Sequence, residues 1–158
     1  MNRIVTSLMV AVILSAATLY AQQPAASAGC NNQTLQGSYG VQISGTRPSP
    51  SILPAFGFFL PGATEQVVGV VIENFDGNGN FTQVDNVKGS LSGITFDRPA
   101  AGTYSVNVDC TGTFTLNNPG VPFPIINRFV IVDGGKEFLS VVVSPQPVMV
   151  MARGRKVN

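Results

Sequence analysis

The chain of 158 residues contains no histidine. That absence removes the commonest general base, so Ser-His-Asp triads, Cys-His pairs and imidazole metal sites are excluded. Charge is scarce as well: Lys and Arg number 9, Asp and Glu 8, and the formal net charge is +1. Such a chain offers little to a phosphate backbone, and nucleic acid is not an expected partner. No glycine-rich loop follows a strand and opens a helix, so no nucleotide is implied, and no metal or other cofactor is expected. Cysteine is limited to Cys30 and Cys110. Helical periodicity is missing beyond the first thirty residues, which leaves an all-β chain.

What is present begins with a leader. Arg3 supplies a positive start, Ile4 to Leu14 is an apolar run, and small residues follow as far as Ala21. This is the layout of a secretory signal peptide over residues 1–21, with cleavage after Ala28 as the alternative. The apolar stretch falls short of the roughly 20 residues that span a bilayer, so no stable membrane insertion is expected after cleavage. The mature chain is expected to be secreted or periplasmic. In that oxidising setting an even cysteine count reads as one disulfide, Cys30 to Cys110. A lipid anchor on Cys30, after Ser27-Ala28-Gly29, would leave Cys110 an unpaired thiol. Closing a loop of about 80 residues is worth roughly 4 to 5 kcal/mol in the chain-entropy picture, and would pin the segment from Cys30 to Gln36 across one end of the fold.

Beyond the leader, one domain over residues 30–152 is expected, followed by a basic tail, 153–158, carrying Arg153, Arg155 and Lys156. Alternation of Tyr39, Val41 and Ile43 with small or polar neighbours predicts a strand from Ser38 to Ser44. Further strands are expected at Gln66 to Phe75, Phe81 to Lys88, Leu91 to Phe96, Gly102 to Val108, Thr111 to Leu116, Ile125 to Val132, Glu137 to Val143 and Val148 to Ala152. Asp76-Gly-Asn-Gly-Asn80 and Asp133-Gly134-Gly135-Lys136 are hairpin signals, and Asp97-Arg98-Pro99 reads as a turn. Tyr104, Val106, Val108 and Cys110 share one face of their strand. Tyr39, Val41, Val70, Ile72, Val106, Ile131 and Val141 are the candidate inward residues, and a core filled solid by them would count against ligand binding. Sequential hairpins favour an antiparallel up-and-down β-barrel of about eight strands over a β-sandwich, the alternative, because closure removes the sheet edges.

Leu35-Gln-Gly-Ser-Tyr39, Phe75-Asp-Gly-Asn-Gly-Asn80 and the stretch from Gly102 to Thr113 resemble a group of small exported bacterial proteins without an assigned activity. The resemblance implies a closed barrel of the calycin or allene-oxide-cyclase kind. Gly37-Ser38-Tyr39 is also similar to the Gly-x-Trp signature of lipocalins, although tryptophan is absent from the whole chain. That likeness makes Arg153 or Arg155 the counterpart of the stacking arginine, and implies a barrel able to hold a ligand.

Between the first two strands lie Pro48, Pro50, Pro54 and Pro61 with Phe56, Phe58 and Phe59, a density of proline that forbids regular ladder pairing. Two readings follow: the loop caps one end of the sheet, or it lines a ligand entrance. Glu73 and Asp85 flank one hairpin. Turned inward, their like charges would raise one pKa and give a proton donor and acceptor; turned outward, they are solubilising charges. Asp76 to Asn80 alternates oxygen side chains as a calcium loop does, yet Phe81 and Val87 stand where glycine and glutamate belong, so a tight turn is expected.

The functional expectation is an exported small barrel that binds a small apolar ligand through Tyr39, Phe56, Phe58, Phe59, Glu73, Asp85 and Tyr104. A structural or cell-surface interaction module is the alternative, and a cyclase or isomerase is third. With histidine missing and both cysteines oxidised, no catalytic residue is assigned and the balance leans away from an enzyme.

Overall fold

A computed structural model of the chain describes residues 29–49, 52–53, 58–59, 63–119 and 121–157, the pairs 52–53 and 58–59 by backbone alone. The leader expected over residues 1–21 lies outside the described residues. Eight strands close into an antiparallel barrel: β1 (Gly37–Pro48), β4 (Thr64–Phe75), β5 (Asn80–Gly89), β6 (Gly93–Val106), β7 (Thr111–Asn117), β8 (Ile125–Val132), β9 (Glu137–Ser144) and β10 (Met149–Lys156). Each pairs with the next in the chain, and β10 returns to β1, so the meander has no edge. A two-residue ribbon, β2 (Ile52–Leu53) with β3 (Phe58–Phe59), sits in the proline-rich connection from β1 to β4. The barrel, not the sandwich, is the architecture.

One end of the barrel is a solid aromatic plug. Tyr39, Phe75, Phe81, Tyr104, Phe114, Phe129 and Phe138 point inward and are buried. Their rings meet edge to face, as Tyr39 and Phe75 do at 5.4 Å, or stacked, as Phe114 and Phe129 do at 4.1 Å. Space for them comes from glycines at inward positions of the adjacent strand. Gly102 faces Phe81, Gly112 faces Phe129 and Gly154 faces Phe138 in register, and a Cβ at any of the three would overlap the ring.

The segment from Cys30 to Gln36 seals this end. Cys30 is bonded to Cys110, with Cα atoms 4.9 Å apart, and the 3-10 helix Asn32–Leu35 begins in a capping box between Asn31 and Thr34. The Asn32 carbonyl accepts the Tyr104 hydroxyl at 3.0 Å, and its side-chain oxygen accepts the Val106 N–H at 2.9 Å. Leu35 is buried completely in the plug. Tyr39 donates its hydroxyl to the Gly135 carbonyl; burial first, then neighbouring Tyr104, pushes that hydroxyl up to about 12.

Four expectations are corrected. Leu91 to Phe96 and Gly102 to Val108 are not two strands about a turn, but largely the single strand β6 with a bulge. Asp97 takes a left-handed φ of 47° there, and the Asn86 side chain accepts its N–H at 3.2 Å. Val108 is not on the core face: β6 ends at Val106, and Val108 is exposed on the turn that carries Cys110. Val70, Ile72 and Val141 face outward, while Val67 and Val71 face in, because a strand apolar on both sides carries no signal of its own phase. Finally, 153–156 is not a solvated tail but the end of β10, paired to β1 as far as Tyr39 with Lys156. Arg153 and Arg155 reach Glu137, and it is Lys156 whose ammonium lies over the Tyr39 ring, 5.9 Å from its centre.

Candidate functional site

The other end of the barrel is hollow. Strand directions put the connections 49–63, 90–92, 118–124 and 145–148 together at this end, around the mouth of a cavity of about 350 Å³. Its floor is formed by Phe81 and Phe114, the upper rings of the plug, and its walls are largely aliphatic, with Val71, Val87, Leu116 and Val142 among them. Pro48, Phe123, Pro145 and Pro147 stand at the rim. An eight-stranded barrel has room for one small molecule, and this one leaves that room at one end only.

Into this apolar space the inward rows of β4, β5, β6, β8 and β9 bring Glu73, Gln83, Asp85, Arg98, Asn127 and Ser140. Asp85 and Arg98 are cross-strand partners, brought opposite by the register just below the β6 bulge. The guanidinium binds the carboxylate in a fork, Nε to Oδ1 at 3.1 Å and Nη2 to Oδ2 at 2.9 Å. Gln83 Nε2 adds a third donor to Asp85 at 3.2 Å. The Asp85 charge is therefore matched inside the barrel wall.

Glu73 is different. It faces Gln83 across the β4–β5 ladder and Tyr39 across β1–β4, yet its Oε2 is buried with no hydrogen-bond partner. Burial alone pushes its carboxyl up to about 8, so the group is mainly protonated at neutral pH. The cause is desolvation, not the like charge of Asp85 that the paired-carboxylate expectation invoked. The outward, solubilising reading of both residues is overturned: each lines the cavity. Asn118, at the mouth, has a second buried oxygen without a partner, Oδ1. Among the described residues, the two orphaned side-chain oxygens thus lie on the same cavity.

A further ion pair stiffens the rim. Glu65 is 1% exposed, and Arg47 Nε donates to it at 2.8 Å. It also accepts the N–H groups of Leu91 at 3.1 Å and Ser92 at 2.8 Å, and the Ser92 hydroxyl. Desolvation works to raise this carboxyl, but the hydrogen bonds from Ser92, Arg47 and Leu91 outweigh it and hold the group below the usual range. Gly89 makes room for the carboxylate, since a Cβ there would collide with Oε2.

The expected ligand-binding residues are divided by the fold. Glu73 and Asp85 meet in the cavity; Tyr39 and Tyr104 belong to the plug and do not line it. Phe56 lies outside the described residues, and only the backbone of Phe58 and Phe59 is described, paired with Leu53 and Ile52. The two ends of the connection that holds them meet where the Ser49 N–H donates to the Ala63 carbonyl at 2.8 Å. Arg98, Gln83, Asn118, Asn127 and Ser140 join Glu73 and Asp85 in the lining, beyond the residues expected from sequence. In a chain with so few charges, Asp85 and Arg98 on successive strands were the available signal for a cross-strand pair. The Asp76 to Asn80 segment is the expected tight turn, its carboxylate accepting the N–H of Asn78 at 2.7 Å and of Asn80 at 2.9 Å.

The closed eight-strand antiparallel barrel is consistent with the calycin-like architecture that the motif resemblance implies. No protein-family model, no curated protein and no solved structure matches the chain.

Proposed function

We propose that this chain is an exported small β-barrel that encloses one small, mainly apolar molecule at its open end. The observation that carries the reading is the cavity itself, apolar in most of its lining and yet home to two buried oxygens without partners. Buried polar atoms are ordinarily satisfied, so their concentration here favours a guest that supplies the missing contacts. The disulfide supports an oxidising compartment, in keeping with the leader read from residues 1–21. Native mass spectrometry of the protein purified from its own host is expected to show a copurifying small molecule. A protein that arrives empty and shows no amide shifts with a panel of apolar probes would sink the proposal.

A cyclase or isomerase is the second reading, favoured by one observation: the Glu73 carboxyl lies without a partner in an apolar cavity, where burial pushes it up to about 8 and makes it a proton donor placed where water is scarce. Turnover that disappears in Glu73→Gln while binding persists would move this reading to first place. The interaction-module reading expects a filled core, and the cavity weighs against it.

A further inference from the structure

Charge inside the cavity is already balanced. Arg98 is committed to Asp85 and Arg47 to Glu65, and residues 50–62, which connect β1 to β4 in the sequence, contain no charged side chain. Among the described residues no lining cation remains to meet a carboxylate or phosphate on a guest, so an anionic ligand would bury an unmatched charge. Among the described residues Glu73 is the one ionisable lining group without a partner, and an unpaired carboxyl in an apolar pocket takes its neutral form and presents an O–H. A donor needs an acceptor.

We propose that the cavity selects an uncharged, largely apolar molecule bearing a carbonyl or ether oxygen at its buried end, received by the carboxyl group of Glu73. The inference rests on the ligand-holding reading above and names the chemistry of its guest. The depth of the group supports the orientation: Glu73 precedes Phe75 by one inward position, so it sits next to the aromatic floor, while Asn118 waits at the rim. An apolar body between them meets Val71, Val87, Leu116 and Val142. A guest oxygen at Glu73 satisfies the deeper orphan without moving a charge.

Selection depends on pH, because the donor is lost when Glu73 ionises. The groups around it do not reverse that dependence. On β1 the Tyr39 hydroxyl is bound to the Gly135 carbonyl; on β5 and β6 Asp85 is held by Arg98 and Gln83; Asn127 on β8 and Ser140 on β9 carry no charge; and Arg47 at the rim is held by Glu65.

The test uses four nine-carbon probes on the mature protein: methyl heptyl ketone, nonane, nonanesulfonate and nonylamine, titrated by amide NMR shifts at pH about 6 and about 9. The ketone is expected to bind about tenfold tighter than nonane at the lower pH, with most of that advantage gone at the higher one. The sulfonate and the amine are expected to bind more weakly than the ketone at the lower pH. Glu73→Gln, which keeps a donor, is expected to retain the preference at both pH values; Glu73→Leu is expected to abolish it while nonane still binds. Equal binding of ketone and nonane to the wild type at pH about 6, an undiminished preference in Glu73→Leu, tight sulfonate binding, or an amine that is preferred and gains affinity as pH rises would each overturn the inference alone. Silence from all four probes, nonane included, would overturn the ligand-holding reading and this inference with it.

Discussion

Glu73 couples a single buried group to the stability of the whole barrel. Its ordinary carboxyl value of 4.5 rises to about 8 in the folded chain, so between those values the native state holds a proton that the unfolded chain has released. Stability from this group is fully present below about pH 4.5 and declines as pH rises through 8, by up to about 1.4 kcal/mol per pH unit. Urea midpoints are therefore expected to fall from pH 5 to pH 8 in the wild type, with the Glu73 share of that slope gone in Glu73→Gln; equal slopes in the two proteins would contradict a protonated Glu73. The sequence left this residue undecided. Val70, Val71 and Ile72 before it are apolar at consecutive positions, so alternation did not say which face was inside. Tyr39 was legible as buried, but its place at the sealed end, away from the cavity, depends on how far each strand runs.

At the scale of elements, two cross-strand devices shape the interior. The pairs of inward glycine with phenylalanine let the rings lie flat against the neighbouring backbone, which is how so many aromatics fit one small plug. Gly112→Ala sets a methyl group against the Phe129 ring and is expected to cost about 1 to 3 kcal/mol, measured as a lowered urea midpoint. The same methyl group meets the Ser105 carbonyl of the backbone, and an unchanged midpoint would contradict the tight packing at this glycine. The second device is the β6 bulge with the adjoining pair of Asp85 and Arg98. Arg98→Met leaves a buried carboxylate unmatched and is expected to destabilise by roughly 3 kcal/mol, whereas adding Asp85→Leu recovers most of that loss in a double-mutant cycle. Additive effects would show that the two residues act independently. Most strands and both glycine-rich hairpins were readable, because alternation and turn chemistry are local. Asp97-Arg98-Pro99 has the composition of a turn, and only pairing to β5 on one side keeps the chain extended there as a bulge.

For the whole molecule, one end is stapled and solid and the other is open and hollow. Removing the staple with Cys30→Ala and Cys110→Ala is expected to lower stability by about 2 to 5 kcal/mol, seen in thermal unfolding, while binding of an apolar probe at the far end persists in the folded fraction. Loss of binding in protein that remains folded would show that the two ends are coupled. By itself the sequence determined the β class, the meander and the cysteine pairing, since period-two alternation, tight turns and an even cysteine count need only neighbours along the chain or a compartment. Tertiary structure alone decided which face of β4 turns inward, that Glu73 stands unpartnered in an apolar cavity, and that Tyr39, Phe75, Phe81, Tyr104, Phe114, Phe129 and Phe138 crowd one end. Those outcomes depend on closure: whether a residue is buried, and which charge meets it, is set by strands that come together around the barrel and not by its neighbours in sequence.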